Sequence, residues 1–124
     1  MKNTLVFGAS TKPRRYSYIA IERLVEAGYP VLAFGLRSGR VKGISIRTSL
    51  QDMEAVHTLT LYMRPSRQSE FYGAIIEMQP ERVIFNPGTE NPEFYELLEA
   101  AGIEVIVACT LVMLSMRTYF SDPT

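Results

Sequence analysis

Short apolar, β-branched runs alternate with helical periodicity from one end of this chain to the other, and few architectures accept that pattern. The runs lie near Thr4–Phe7, Pro30–Phe34, Ile44–Ile46, Thr58–Met63, Arg82–Asn86 and Glu104–Ala108. Several are continuously apolar, which predicts strands buried on both faces, as in a parallel sheet. Helical patterns fill the gaps. The first, Ser17 to Ala27, groups Ile21, Leu24 and Val25 on one face and stops at Gly28. Ser49 with Asp52 suggests a capped helical turn, and a third helix after Arg64-Pro65 buries Tyr72, Ile75 and Ile76 before Pro80 ends it. The fourth has Asn91 as cap, Pro92 in its first turn, Phe94, Leu97, Leu98 and Ala101 on one face, and Gly102 beyond its end. Residues 110–118 are expected to close the chain with a short helix. Parallel neighbours need right-handed crossovers, so the alternation predicts an α/β, doubly wound, three-layer sandwich around a mainly parallel five- or six-stranded sheet.

At 124 residues the chain is expected to form one domain, residues 1–120, with a short tail at 121–124. No secretory signal and no apolar run of membrane-spanning length is visible, so a cytoplasmic protein without membrane contact is expected. Cys109 is the single cysteine and His57 the single histidine, which rules out an intrachain disulfide and a thiolate-rich metal site. A net charge of zero hides an asymmetry. Residues 1–50 carry nine Lys and Arg against two Glu, so that half stands at +7 and the rest at −7. The excess gathers in two short stretches, 12–15 and 37–42, which points to a focused anion site rather than to nucleic acid, since there is no continuous basic helix.

In a doubly wound sheet the ligand lies beyond the carboxyl ends of the strands. The loops there read "GASTKPRRYS", "GLRSGRVKG", "RPSR" and "NPGTEN". A dinucleotide fingerprint needs a second glycine where Ser10 stands and a third where Pro13 stands, and an acid after strand two where the chain has Arg37. NAD is therefore disfavoured. A ligand with a phosphate on its ribose, as in NADP or coenzyme A, suits Arg37, Arg40 and Lys42 better, because guanidinium groups present paired donors to phosphate oxygens. The P-loop pattern is also absent, with Arg14-Arg15 in place of its glycine-lysine pair.

The order of these motifs resembles a family, the small single-domain coenzyme A-binding proteins related to the nucleotide-binding domain of succinyl-CoA synthetase α subunits. Gly8-Ala9-Ser10, Pro13, Arg15 and Ser17-Tyr18 carry the resemblance, and Gly28-Tyr29, Gly43, Ser49-Leu50, Gly88, Ala101-Gly102 and Cys109 extend it across the chain. Strand two departs from the family habit of ending Val-Asn-Pro, reading Phe34-Gly35-Leu36 instead. The resemblance implies a Rossmann-like domain that binds coenzyme A or an acyl-CoA.

The residues expected to carry binding are Gly8, Ala9, Ser10, Lys12, Arg15 and Ser17 around the phosphates, Phe34 and Arg37 after strand two, and Tyr62, Met63, Arg64 and Asn86 along the tail. Ser10 and nearby amides at a helix entrance suit an anion. Asn86 is a candidate partner for a pantetheine amide, or else the cap of a turn. Cys109 is either a buried thiol or one able to reach a thiol ligand. His57 is expected at the opposite end of the sheet. Three functions stay open: a non-catalytic coenzyme A or acyl-CoA binding protein, an NADP-binding reductase subunit, and an interaction protein that keeps the fold without the ligand. A homodimer, with Leu36 and Leu111–Leu114 as interface candidates, is compatible with each.

Overall fold

The computed structural model describes residues 2–120; the expected tail at 121–124 lies outside them. Seven strands form one sheet: β1 (Thr4–Phe7), β2 (Val31–Phe34), β3 (Gly39–Val41), β4 (Ile44–Arg47), β5 (Thr58–Leu61), β6 (Arg82–Phe85) and β7 (Glu104–Val107). Their order is β3-β4-β2-β1-β5-β6-β7, parallel throughout except for the antiparallel pair of β3 with β4. The six expected strands are all present, and β3 makes the sheet one strand wider than expected. The stretch 37–42, read as a loop, is instead largely one arm of a hairpin. Lys42 and Gly43 both adopt positive φ, 50° and 81°, at its tip, as a two-residue hairpin turn between twisted strands requires.

Helices α1 (Tyr16–Glu26), α2 (Pro65–Gln68), α3 (Tyr72–Met78), α4 (Pro92–Ala100) and α5 (Thr110–Ser115) cover both faces. The alternation of side chains along the strands explains the layers. Leu5, Phe7, Leu59, Leu61, Val83 and Phe85 point to one face, where Ile75 of α3 and Phe94 and Leu98 of α4 complete a buried cluster. Val6, Ala33 and Ile84 point to the other, against Ile21 and Leu24 of α1 and Met113 and Leu114 of α5. The helix expected after Pro65 is broken in two by a 3-10 turn at Ser69–Phe71. Ser49 caps a plain turn, accepting from the Gln51 amide at 3.1 Å, and no helix forms there. Asn91 caps α4 as expected, its Oδ1 accepting from the Phe94 amide at 3.3 Å.

The chain leaves β1 toward β2, β4 and β3, then returns to β5 and proceeds outward through β6 and β7. The winding therefore reverses between β1 and β5, and the crevice expected of such a reversal opens at Gly8 and Tyr62. Among the described residues no helix is long and apolar enough to cross a membrane.

Candidate functional site

A cleft of about 660 Å³ lies at the carboxyl ends of β1, β2, β5 and β6. Gly8 makes it possible. Its φ of +98° turns the chain away from β1, and the amides of Gly8 and Ala9 both donate to the Phe34 carbonyl at 2.8 Å. A Cβ at Gly8 would lie 3.1 Å from the Tyr62 carbonyl carbon and 3.2 Å from the Met63 nitrogen, so the loop after β5 is held against it. Gly35 answers a similar need: a Cβ there would collide with the Ala9 carbonyl. The close approach of the two loops accounts for a glycine at that departure from the family pattern.

From this turn the chain runs through Ser10, whose Oγ accepts from the Lys12 amide at 3.1 Å, and enters α1 at Arg15. No side chain caps α1, and its first turn holds no acid. Arg15, Tyr16 and Ser17, at this helix start, line the cleft. The exposed amides and the helix dipole make an anion favourable there.

Ten of the expected residues meet in the cleft wall: Gly8, Ala9, Ser10, Lys12, Arg15, Ser17, Arg37, Tyr62, Met63 and Arg64. Two do not. Phe34 is buried, its ring 4.7 Å from that of Phe7 and 5.5 Å from that of Phe71, so it serves the core and offers the turn its carbonyl. Asn86 is buried behind the wall, where its Nδ2 donates to Thr60 Oγ1 at 2.8 Å and to the Leu61 carbonyl at 2.9 Å, while its Oδ1 accepts from the Thr110 amide at 2.8 Å. Its amide ties β5, β6 and α5 together. Arg40 and Lys42 also stay outside the cleft: Arg40 reaches the Gly43 carbonyl at 3.3 Å, and Lys42 pairs with Glu22 at 3.4 Å.

The wall also includes residues of the flagged loops that the sequence analysis did not name as binding residues, namely Thr11, Tyr16, Leu36, Arg67, Pro87, Gly88 and Thr89. Pro87 to Thr89 belong to the loop flagged after β6, and Arg67 ends the flagged stretch "RPSR", which the structure winds into the start of α2. Buried Gln68 joins these loops: its Nε2 donates to the carbonyls of Met63 and Thr89, each at 2.8 Å, and its Oε1 accepts from Asn91 at 2.8 Å.

Five cations, Lys12, Arg15, Arg37, Arg64 and Arg67, thus converge on a lining that contains no Asp, Glu or His. The ion pairs among the described residues involve none of the five. Tyr62 lines the cleft, but its hydroxyl is buried, near the Thr60 and Thr110 side chains yet in hydrogen-bonding geometry with neither, and burial pushes its pKa well above that of an ordinary phenol. It stays a neutral wall. His57 lies at the amino end of β5, far from the crevice as expected, with Nε2 2.9 Å from Glu81 and Nδ1 2.8 Å from Thr58 Oγ1. No group of three or more His, Cys, Asp and Glu side chains able to hold a metal occurs among the described residues.

A smaller pocket of about 200 Å³ adjoins the cleft, lined by Tyr16, Tyr62, Asn86, Pro87, Cys109 and Leu111. Cys109 precedes α5 and is partly exposed, so neither a fully buried thiol nor a surface one describes it.

Similar proteins share this architecture. A crystal structure of an uncharacterised protein is 46% identical, with a TM-score of 0.91 over 95% of this chain and 98% of that one. A Thermus thermophilus structure, of cell-free ID.343, is 29% identical, with a TM-score of 0.85 over 94% of this chain and 90% of that one. A hypothetical protein from Pyrococcus horikoshii OT3, 24% identical with a TM-score of 0.84 over 94% and 83% of the two chains, speaks to the fold alone. No curated protein matches the chain significantly. Residues 2–115 match the family model described as the CoA binding domain, in agreement with the reversal-point cleft and its cationic wall, and the chain belongs to the CoA binding domain family.

Proposed function

We propose that this protein binds coenzyme A, as a binding module without chemistry of its own formed by residues 1–120. The observation that carries the reading is the set of five unpaired cations around the uncapped start of α1, with no carboxylate in the lining. A ligand with several phosphates answers that charge, and family membership narrows the choice to coenzyme A. Lys12, Arg15 and the helix entrance suit the pyrophosphate. Arg37, directly beyond β2, suits the phosphate on the ribose, since the nucleoside of a ligand in such a fold lies over the second strand. NADP shares that phosphate, and the competing reading as a reductase subunit rests on the same arginine.

Calorimetric titration at fixed salt separates the two. Coenzyme A should bind more tightly than NADP. A hydrogen bond to a charged group contributes about 1.5–3 kcal/mol, so Arg15→Ala or Arg37→Ala should weaken coenzyme A about 10- to 100-fold. Arg40→Ala and Lys2→Ala, away from the cleft, should leave it unchanged. Coenzyme A lacking its ribose phosphate should bind the parent less tightly but Arg37→Ala about as well as the complete ligand does. Tighter binding of NADP by the parent would transfer the proposal to the reductase reading.

A further inference from the structure

We propose that the smaller pocket holds a short acyl group, carried as a thioester by the ligand whose phosphates lie in the cleft. The inference rests on the coenzyme A reading and adds the form in which the ligand is held. The two cavities are neighbours, since Tyr16, Tyr62 and Pro87 line both. Their chemistry differs sharply. The cleft gathers five cations, whereas the residues lining the pocket, Tyr16, Tyr62, Asn86, Pro87, Cys109 and Leu111, include no charged one. Its one side-chain amide, Asn86, has both donors engaged by Thr60 and Leu61, and its oxygen accepts from Thr110. The Tyr62 hydroxyl is buried in the protein and faces no solvent. Nothing in that wall rewards a phosphate, a nucleobase edge or a free amide, and an aliphatic chain is the occupant it suits.

The direction of the ligand agrees. With the pyrophosphate at the start of α1 and the ribose phosphate at Arg37 beyond β2, the thiol end must run the other way, across the ends of β5 and β6. The pocket lies there, between Tyr62 after β5, Pro87 after β6 and Cys109 after β7. A bare thiol would leave most of the space empty. At roughly 30 Å³ for each small non-hydrogen group, the pocket has room for about six, which accommodates a four-carbon acyl group and excludes a fatty chain from full burial.

Calorimetric titration of the intact protein with coenzyme A, its acetyl, butyryl and dodecanoyl thioesters, and adenosine 3′,5′-bisphosphate tests the proposal. Each buried methylene contributes about a three- to fourfold gain, so butyryl-CoA should bind about tenfold more tightly than acetyl-CoA, and dodecanoyl-CoA no more tightly than butyryl-CoA. Leu111→Trp, which fills the pocket, should abolish the butyryl gain while leaving adenosine 3′,5′-bisphosphate within about twofold of its parent affinity. Equal affinities of coenzyme A, acetyl-CoA and butyryl-CoA for the parent protein would overturn the acyl pocket and leave the coenzyme A reading standing. Weakened bisphosphate binding by a Leu111→Trp variant whose denaturation midpoint matches the parent's would overturn it too, because the pocket would then hold the base. Failure of the parent to bind coenzyme A at all would overturn both readings. The chain-length series on the parent protein decides the matter even if the variant does not fold.

Discussion

At the scale of single residues, the site is organised by backbone before side chains. Gly8 occupies a φ of +98° against the backbone of Tyr62 and Met63, so both its conformation and its missing Cβ are needed where two loops meet. The sequence marks this position as a turn glycine, but its closeness to Tyr62, far away in the chain, belongs to the folded state. Tyr62 shows the reverse: a residue chosen from sequence as a contact for the ligand's tail lines the cleft, while its hydroxyl is buried and lacks hydrogen-bonding geometry to a partner. Such a group costs about 1–3 kcal/mol of lost hydration. Tyr62→Phe should therefore leave stability unchanged or raise it by about 1 kcal/mol, with ligand binding retained, as chemical denaturation followed by titration would register. A marked loss of stability would mean that the hydroxyl has a partner in solution.

Among the elements, the hairpin of β3 and β4 and the broken helix after β5 were the least legible. Gly39-Arg40-Val41 has no apolar run and low strand propensity, so it reads as a basic loop; pairing with β4 turns it into an edge strand and carries Arg40 and Lys42 away from the cleft. The signal that could have found it is Lys42-Gly43 between Val41 and Ile44, the chemistry of a tight hairpin turn. After β5, the helical pattern is correct but the helix divides at Ser69–Phe71, and its first turn holds Gln68 where it can join the loops after β5 and β6. Gln68→Ala would leave the buried carbonyls of Met63 and Thr89 and the Asn91 amide short of a partner. We expect a loss of about 3 kcal/mol together with weaker coenzyme A binding, because Met63 and Thr89 both line the cleft. Denaturation midpoints and calorimetry on the same variant measure the two effects, and an undisturbed affinity would show that the floor holds its shape without the bridge.

For the molecule as a whole, the two ends of the sheet have different tasks, with charge recognition at the carboxyl ends of the strands and a packed, titratable cluster at the amino ends. There Arg82 donates to Thr58 and to the Tyr119 carbonyl and lies over the rings of Tyr119 and Phe120, beside His57 and Glu81. Burial lowers the His57 pKa; Glu81 opposes the shift, and Arg82 and Lys2 reinforce it. The neutral imidazole is thus the form the fold prefers. Its contribution to stability is complete above the ordinary value of 6.5 and is lost as pH falls through the lower folded value. An NMR titration of this single histidine should give a midpoint below 6.5, and His57→Gln should flatten the decline of stability on the acid side. A midpoint above 6.5 would mean that Glu81 prevails. The interface candidates also divide on this scale: Leu36 lines the cleft, Leu111 the side pocket, Met113 and Leu114 pack on the core, and Val112 is exposed. By itself the sequence determined the alternation of elements, the capped start of α4, and hence a doubly wound sheet with its crevice beyond β1, because periodicity and turn chemistry are local and the winding rules leave few alternatives. Tertiary structure alone decided that Arg67 joins the cleft while Arg40 and Lys42 leave it, that Asn86 and Phe34 are consumed by packing, and that Tyr16, Pro87 and Leu111 enclose a pocket. Those outcomes depend on the register and facing of segments far apart in the chain, and a local pattern of residues contains no term for the distance between them.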